Sequence, residues 1–222
     1  MRRFLFLPTI VSYLLVAFVL YGLFKFSLGF KILISLGFFG TFFICRRANV
    51  PYRDTLKNDG EIYLAPMHGI VKSIRHHVTG PDGDSLHHEV RIAVSLWNEK
   101  GLYLPTSGEV SYLKANKGDR VDRDAPAESF YRPVEELAHT DLTLTSKNQT
   151  KTMMRFIDCQ YGKRPTIWLK SGDRGRGAAC FGYYPFGGTL IIYLPANSDI
   201  LVFDGERVVP GQTVIAALKD IK

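Results

Sequence analysis

Apolar and polar positions divide the chain into two unequal parts. From Phe4 to Phe24 the residues are almost wholly apolar, and about 20 such residues are what a helix needs to cross the hydrocarbon core of a bilayer. A short break, Lys25 followed by Ser27-Leu28-Gly29, leads through Lys31 into a second run, Ile32 to Cys45. That run is short for a span unless Phe26 to Phe30 belong to it and Lys31 snorkels its ammonium toward the headgroups. The pattern predicts a transmembrane helical hairpin that anchors the protein through residues 1–47. Arg2 and Arg3 precede the first run and Arg46 and Arg47 follow the second, which places both ends in the cytoplasm, while Lys25 and Lys31 pull the other way. A cleaved signal peptide is the competing reading; the first run is long for one, and no Ala-x-Ala site closes it.

Beyond Ala48 the pattern changes to short runs of Val, Ile, Tyr and Leu separated by Gly, Pro, Asp and Asn, so residues 48–222 read as a mainly β domain. The predicted strands include Gly69 to His77, Glu89 to Leu96, Gly108 to Lys114, Met153 to Cys159, Thr166 to Leu169 and Thr189 to Leu194. Between the first two, the stretch from Val78 to Leu86 contains Gly80, Pro81, Asp82 and Gly83, which supply the turn conformations of a hairpin loop. Arg123 to Leu142 is the least regular stretch and reads as a surface excursion with a helical turn around Val134 to Ala138.

A chain of 222 residues suits one domain plus an anchor. Its 28 Lys and Arg against 21 Asp and Glu draw it toward anionic surfaces. The densest basic region holds Arg174 and Arg176 in Gly172-Asp-Arg-Gly-Arg-Gly177, with Lys163, Arg164 and Lys170 nearby. Beside a membrane such clusters attract anionic lipid at about 1 kcal/mol per residue; a solvated charged face is the plain alternative. Nucleic acid is not an expected partner, because aromatic interleaving and a recognised binding module are both missing. Cys45, Cys159 and Cys180 are odd in number and lack metal-ligand spacing, so a reducing compartment is expected. His76-His77 and His87-His88 flank the predicted loop, and one histidine from each strand, such as His77 and His87, would share a face there. Imidazole pairs bind zinc or copper, but ordinary exposed strand histidines are the simpler reading, and no metal is predicted.

Several ordered segments resemble the phosphatidylserine decarboxylase family. Ala65-Pro-Met-His-Gly-Ile-Val71 is similar to its alanine-proline-x-aspartate-glycine-x-valine segment. The run from Val94 to Val110 keeps Ser95, Asn98, Pro105, Gly108 and Val110 in register with serine-x-x-asparagine-valine-histidine-x-x-x-x-proline-x-x-glycine-x-valine. Gly182-Tyr-Tyr-Pro-Phe-Gly-Gly188, followed by the run that ends in Tyr193-Leu-Pro195, is similar to the family's glycine-x-x-x-phenylalanine-glycine-serine, strand and leucine-proline, in the short, archaeal-like branch. Gly205 to Ala216 is similar to its last hairpin. Two strand-turn-Val segments, Gly108 to Val121 and Asp199 to Val214, also look like biotinyl and lipoyl carrier domains, in which a hairpin lysine such as Lys114 or Lys117 would be modified; no Met-Lys-Met or Asp-Lys-Ala tip is present.

The resemblance implies a barrel-sandwich-like β domain behind the anchor. It also implies a chemistry in which a serine cleaves its own chain and becomes a pyruvoyl group, assisted by a histidine and an aspartate. At the matching positions stand Gly188, Lys100 and His68. Glycine has no side-chain oxygen, so no pyruvoyl group is expected and the chain reads as a catalytically inactive relative. Thr189 is the fallback nucleophile, but a one-residue step along a strand turns its side chain to the other face. His68 and Lys100, with Arg174 and Arg176, are the candidate lipid-headgroup ligands. The expected role is in phospholipid metabolism at the inner or plasma membrane, with the domain cytoplasmic, through phospholipid, a second copy or an active paralogue. An active phosphatidylserine decarboxylase making phosphatidylethanolamine and a carrier-like adaptor are the alternatives.

Overall fold

The computed structural model describes residues 16–21, 28–45, 56–57, 60–80, 83, 85–95, 98–117, 137–157, 164–185 and 187–218. Its helical content lies at 16–21 and in Leu28–Cys45. Among the described residues no helix is long and apolar enough to cross a membrane, which overturns the transmembrane helical hairpin predicted for residues 1–47. The 18 residues of Leu28–Cys45 rise roughly 27 Å at about 1.5 Å each, short of the ~30 Å hydrocarbon core. Of the first apolar run, residues 4–15 and 22–24 lie outside the described residues, and 16–21 are helical.

Among the described residues fifteen strands follow in chain order: β1 (Leu56–Lys57), β2 (Gly60–Leu64), β3 (Gly69–Thr79), β4 (Leu86–Val94), β5 (Gly101–Tyr103), β6 (Gly108–Asn116), β7 (His139–Ser146), β8 (Lys151–Ile157), β9 (Thr166–Ile167), β10 (Arg174–Gly175), β11 (Cys180–Tyr183), β12 (Gly188–Pro195), β13 (Ser198–Ile200), β14 (Arg207–Val208) and β15 (Val214–Leu218). Eight of them form one antiparallel sheet in the order β10-β6-β7-β8-β12-β4-β3-β14. A four-stranded sheet, β1-β2-β15-β13, and a three-stranded one, β5-β11-β9, complete the domain. The mainly β expectation therefore stands. The hairpin loop also lies where the turn residues put it, between β3 and β4, with Gly83 at φ 78°.

Period-two alternation explains why the large sheet has two buried faces. One face sends Val90, Ile92, Leu142, Leu144, Met154, Phe156, Leu190, Ile192 and Leu194 into the main core. The other carries Ile191 and Tyr193, packed with Leu137 and Ile157, beside a band of paired charges. There Arg155 donates two hydrogen bonds to Asp141, at 2.7 and 2.9 Å, and Arg91 donates to Glu89 at 2.6 Å. All four are buried, so each charge needs its partner: removing one member of such a pair costs about 3–5 kcal/mol. Tyr193, opposite Glu89, has its phenol pushed up to about 12, by burial first and the Glu89 charge second.

The irregular stretch needs a correction too. β7 begins at His139, inside the segment read as a surface excursion, and Leu137 is bridged rather than helical. Only Leu142 and Leu144 mark the apolar face of this Thr-rich strand, which is too short a signal for period two to announce it. Residues 118–136 lie outside the described residues, as do Cys159 and Lys163.

Candidate functional site

Three segments meet at the head of β12. Gly188, its first residue, pairs with Val94 at the end of β4. Beyond Val94 the chain turns: the Asn98 amide donates to the Ser95 carbonyl at 3.2 Å, and the Lys100 ammonium donates to the same carbonyl. The Asn98 side-chain amide reaches the His68 carbonyl at 3.5 Å, which ties in the segment before β3. The Tyr184 amide donates to the Lys100 carbonyl at 2.8 Å and closes the group from the β12 side. The positions singled out by sequence, His68, Lys100 and Gly188, are thus brought to one place by backbone pairing.

The interior of this place is filled. Lys100 is 1% exposed, its ammonium committed to the turn it closes. Tyr184 is fully buried; its hydroxyl donates to the Ile157 carbonyl, and its ring meets Phe156 edge-on at 6.1 Å between centroids. Gly187 and Gly188 both have positive φ, 76° and 149°. A Cβ built on Gly188 would lie 2.7 Å from Tyr184 Cζ and closer still to the hydroxyl, so Tyr184 occupies the space that any side chain at 188 would need. Thr189 pairs with Ala93 and Ile157 and is half-buried. Nothing in the sequence singled out Tyr184: which tyrosine of Phe181-Gly-Tyr-Tyr184 turns inward is decided by contacts with β8, far along the chain.

The two arginines stand elsewhere. Arg174 in β10 and Arg176 just after it line an open cavity of about 1010 Å³ together with Ser107, Glu109, Thr145 and Lys147, and neither His68 nor Lys100 is among its lining residues. The proposed set of headgroup ligands therefore divides into a buried Lys100 beside a half-buried His68 and an exposed arginine pair. Arg174 donates to Glu109 at 2.8 Å while remaining 85% exposed, so that bond is screened and worth little to stability. The sheet edge supplies further polar atoms at this cavity, such as the Ser111 hydroxyl, which donates to the Thr143 carbonyl at 3.3 Å.

Next to the cavity lies a buried carboxylate that sequence reasoning missed. Glu61 in β2 is fully buried and accepts hydrogen bonds from the hydroxyls of Thr106 at 2.6 Å, Ser146 at 2.8 Å and Thr150 at 3.0 Å. Three hydroxyl donors, drawn from the β5–β6 connection, the end of β7 and the β7–β8 turn, satisfy the carboxylate and tie the four-stranded sheet to the large one. Burial, followed by the Glu61 charge, pushes the Tyr63 phenol up to about 12. The only signal available was an acidic residue inside the apolar run Gly60-Glu-Ile-Tyr-Leu64.

The histidines pair differently from the expected His77 and His87. A bulge between Arg75 and Val78 sets both His76 and His77 against His88, while His87 lies opposite Val78, bonded to the Ser85 hydroxyl at 2.7 Å. Lys114 lies exposed in β6 opposite Asp141, and Lys117 follows that strand's end. The 22 residues 117–138 connect β6 to β7, so these lysines do not sit on a tight hairpin tip.

No family model matches the chain. Among curated proteins, the phosphatidylserine decarboxylase proenzyme of Symbiobacterium thermophilum is 30% identical over 171 residues, 76% of this chain and 75% of that protein. The proenzyme of the same name from Parabacteroides distasonis is 23% identical over 171 residues, 76% of this chain and 74% of that protein. That of Porphyromonas gingivalis is 24% identical over 182 residues, covering 81% and 77%. An antiparallel β domain with a glycine pair at the head of its central strand is thus similar, along most of its length, to proenzymes of phospholipid metabolism. The chain belongs to the phosphatidylserine decarboxylase family.

Proposed function

We propose that this chain is a non-cleaving member of its family that acts in phospholipid metabolism by binding anionic phospholipid at the surface of the inner or plasma membrane. The observation that carries the reading is the head of β12, where Gly188 has no hydroxyl and Tyr184 fills the volume of a side chain there. A pyruvoyl group arises from a serine, and the residues present do not fit one: Gly188, which matches the serine in the family's motif, has no oxygen, and Tyr184 fills the space that a side chain there would need. His68 and Lys100 replace the assisting groups, and the Lys100 ammonium holds a turn rather than facing a substrate.

Binding then falls to the open cavity. Arg174, Arg176 and Lys147 surround it with hydroxyls from Ser107 and Thr145, a donor set suited to a phosphodiester. An active paralogue of this chain, or a second copy, is the partner this reading entails for any effect on lipid synthesis. The test joins two measurements on the full chain. Intact mass after purification is expected to show one uncut species. Sedimentation with vesicles is expected to be stronger for phosphatidylglycerol or phosphatidylserine than for phosphatidylcholine, and to fall several-fold in Arg174→Ala/Arg176→Ala, at about 1 kcal/mol per charge. Self-cleavage together with ethanolamine phospholipid made in a decarboxylase-deficient host would replace this reading with that of a working lyase.

A further inference from the structure

The bulge in β3 creates a cluster that the functional reading leaves unused. Where two residues of a bulged strand oppose one on its partner, their side chains are re-aimed relative to regular alternation. Arg75 pairs with Glu89 and Val78 with His87, so His76 and His77 share the single opposing residue His88. His77 takes φ 52°, a conformation rare for a residue with a Cβ and one that permits both rings to approach the partner strand. The rings of His76 and His77 stand 4.9 and 5.0 Å from that of His88 between centroids.

Three features of His88 bear on what this cluster does. Its Nε2 lies 3.0 Å from the Ala196 carbonyl, which can only accept, so Nε2 carries the hydrogen and Nδ1 keeps its lone pair. That lone pair faces His76 Nδ1 at 3.1 Å. Burial holds the His88 ring below the usual imidazole range, which favours the neutral form, and the Asp199 charge opposes this only as the smallest influence. An imidazole that donates one N–H to a backbone carbonyl and keeps a lone pair on its other nitrogen is oriented as metal-bound histidines are.

We propose that His76 Nδ1 and His88 Nδ1 form a two-nitrogen chelate for a divalent transition metal of the copper, nickel or zinc type. At nitrogen-to-metal bonds of about 2.05 Å, a separation of 3.1 Å subtends an angle of about 98° at the ion. That lies between the right angle of tetragonal copper or nickel and the tetrahedral angle of zinc. Binding moves the hydrogen of the neutral His76 ring from Nδ1 to Nε2, and the ion is then held by the Nδ1 lone pairs of both rings. Among the described residues no group of three or more His, Cys, Asp or Glu is arranged to hold a metal ion, so the remaining positions are left to water. Because His76 and His77 are exposed and His88 is buried, the ion would enter from the β3 side and join β3 to β4 across the bulge.

Nickel titration of the full chain, read by calorimetry and by the melting temperature, tests the site. One equivalent is expected to bind with a rise in melting temperature, and His76→Ala is expected to weaken binding about tenfold or more. His76 is exposed, so this variant keeps its fold; His88→Ala, the buried partner, is expected to act in the same direction. His87→Ala, whose ring lies against Ser85, is expected to bind nickel as the unaltered chain does. Unchanged affinity in His76→Ala, or no binding at millimolar nickel by the unaltered chain, would overturn the proposal.

Discussion

The head of β12 and the cavity beside β10 were one headgroup site in the sequence and are two different environments in the molecule. At the first, backbone pairing gathers His68, Lys100 and Gly188, and the protein then fills the space with its own groups: a lysine bonded to a turn and a tyrosine bonded to a strand end. At the second, Arg174 and Arg176 stand around solvent, and the Arg174–Glu109 ion pair is exposed. The difference teaches that residues singled out together need not share a pocket: around Gly188 close packing by Lys100 and Tyr184 takes the volume, while the arginines at the cavity stay open to solvent.

Substitutions can sharpen that contrast, beginning with the closed region. Tyr184→Ala removes a fully buried ring and its hydrogen bond, and is expected to lower unfolding free energy by about 3–5 kcal/mol in urea titration. Asp141→Ala, on the other face of the sheet, leaves Arg155 buried without its bidentate partner and is expected to cost a comparable amount, about 3–5 kcal/mol. Gly188→Ser restores a hydroxyl but drives a Cβ into Tyr184, so destabilisation of about 1–3 kcal/mol is expected, with the chain still uncut. At the open cavity, Arg174→Ala is expected to change stability by less than about 1 kcal/mol while weakening anionic-vesicle binding several-fold. A large stability loss in that variant would break the contrast between the two regions.

Alkaline pH offers a subtler test of the closed sheets. Tyr63 and Tyr193 have phenols raised to about 12 from an ordinary value of 10. Each neutral phenol is favoured by folding, so the folded state holds more protons than the unfolded state between these values. Stability is therefore fully present below pH 10 and falls as pH rises toward about 12, by up to about 1.4 kcal/mol per unit for each tyrosine. Thermal melts between pH 9 and 12 check the slope, and Tyr193→Phe should flatten it.

How much of this was legible depends on the range of the contacts involved. Alternation in Leu190, Ile192 and Leu194 and the turn residues around Gly83 are local, and the strands and hairpin they announce are present. The bulge at His76 and His77 was not legible, because an extra residue in a strand leaves no mark in composition yet changes which side chains meet. Tyr184 and Glu61 were missed for a related reason: their partners, Ile157 and Ser146, come from distant strands. The predicted anchor is not supported, because among the described residues neither the helical stretch 16–21 nor Leu28–Cys45 is long and apolar enough to cross a membrane.

The intact mass of the full chain, purified without added protease, tests the central claim most directly, since self-cleavage is the step on which a pyruvoyl enzyme depends. A single species with the mass of all 222 residues is the result expected from a glycine at 188 backed by Tyr184. Two fragments from a break between Gly187 and Gly188, or beside Thr189, would contradict it.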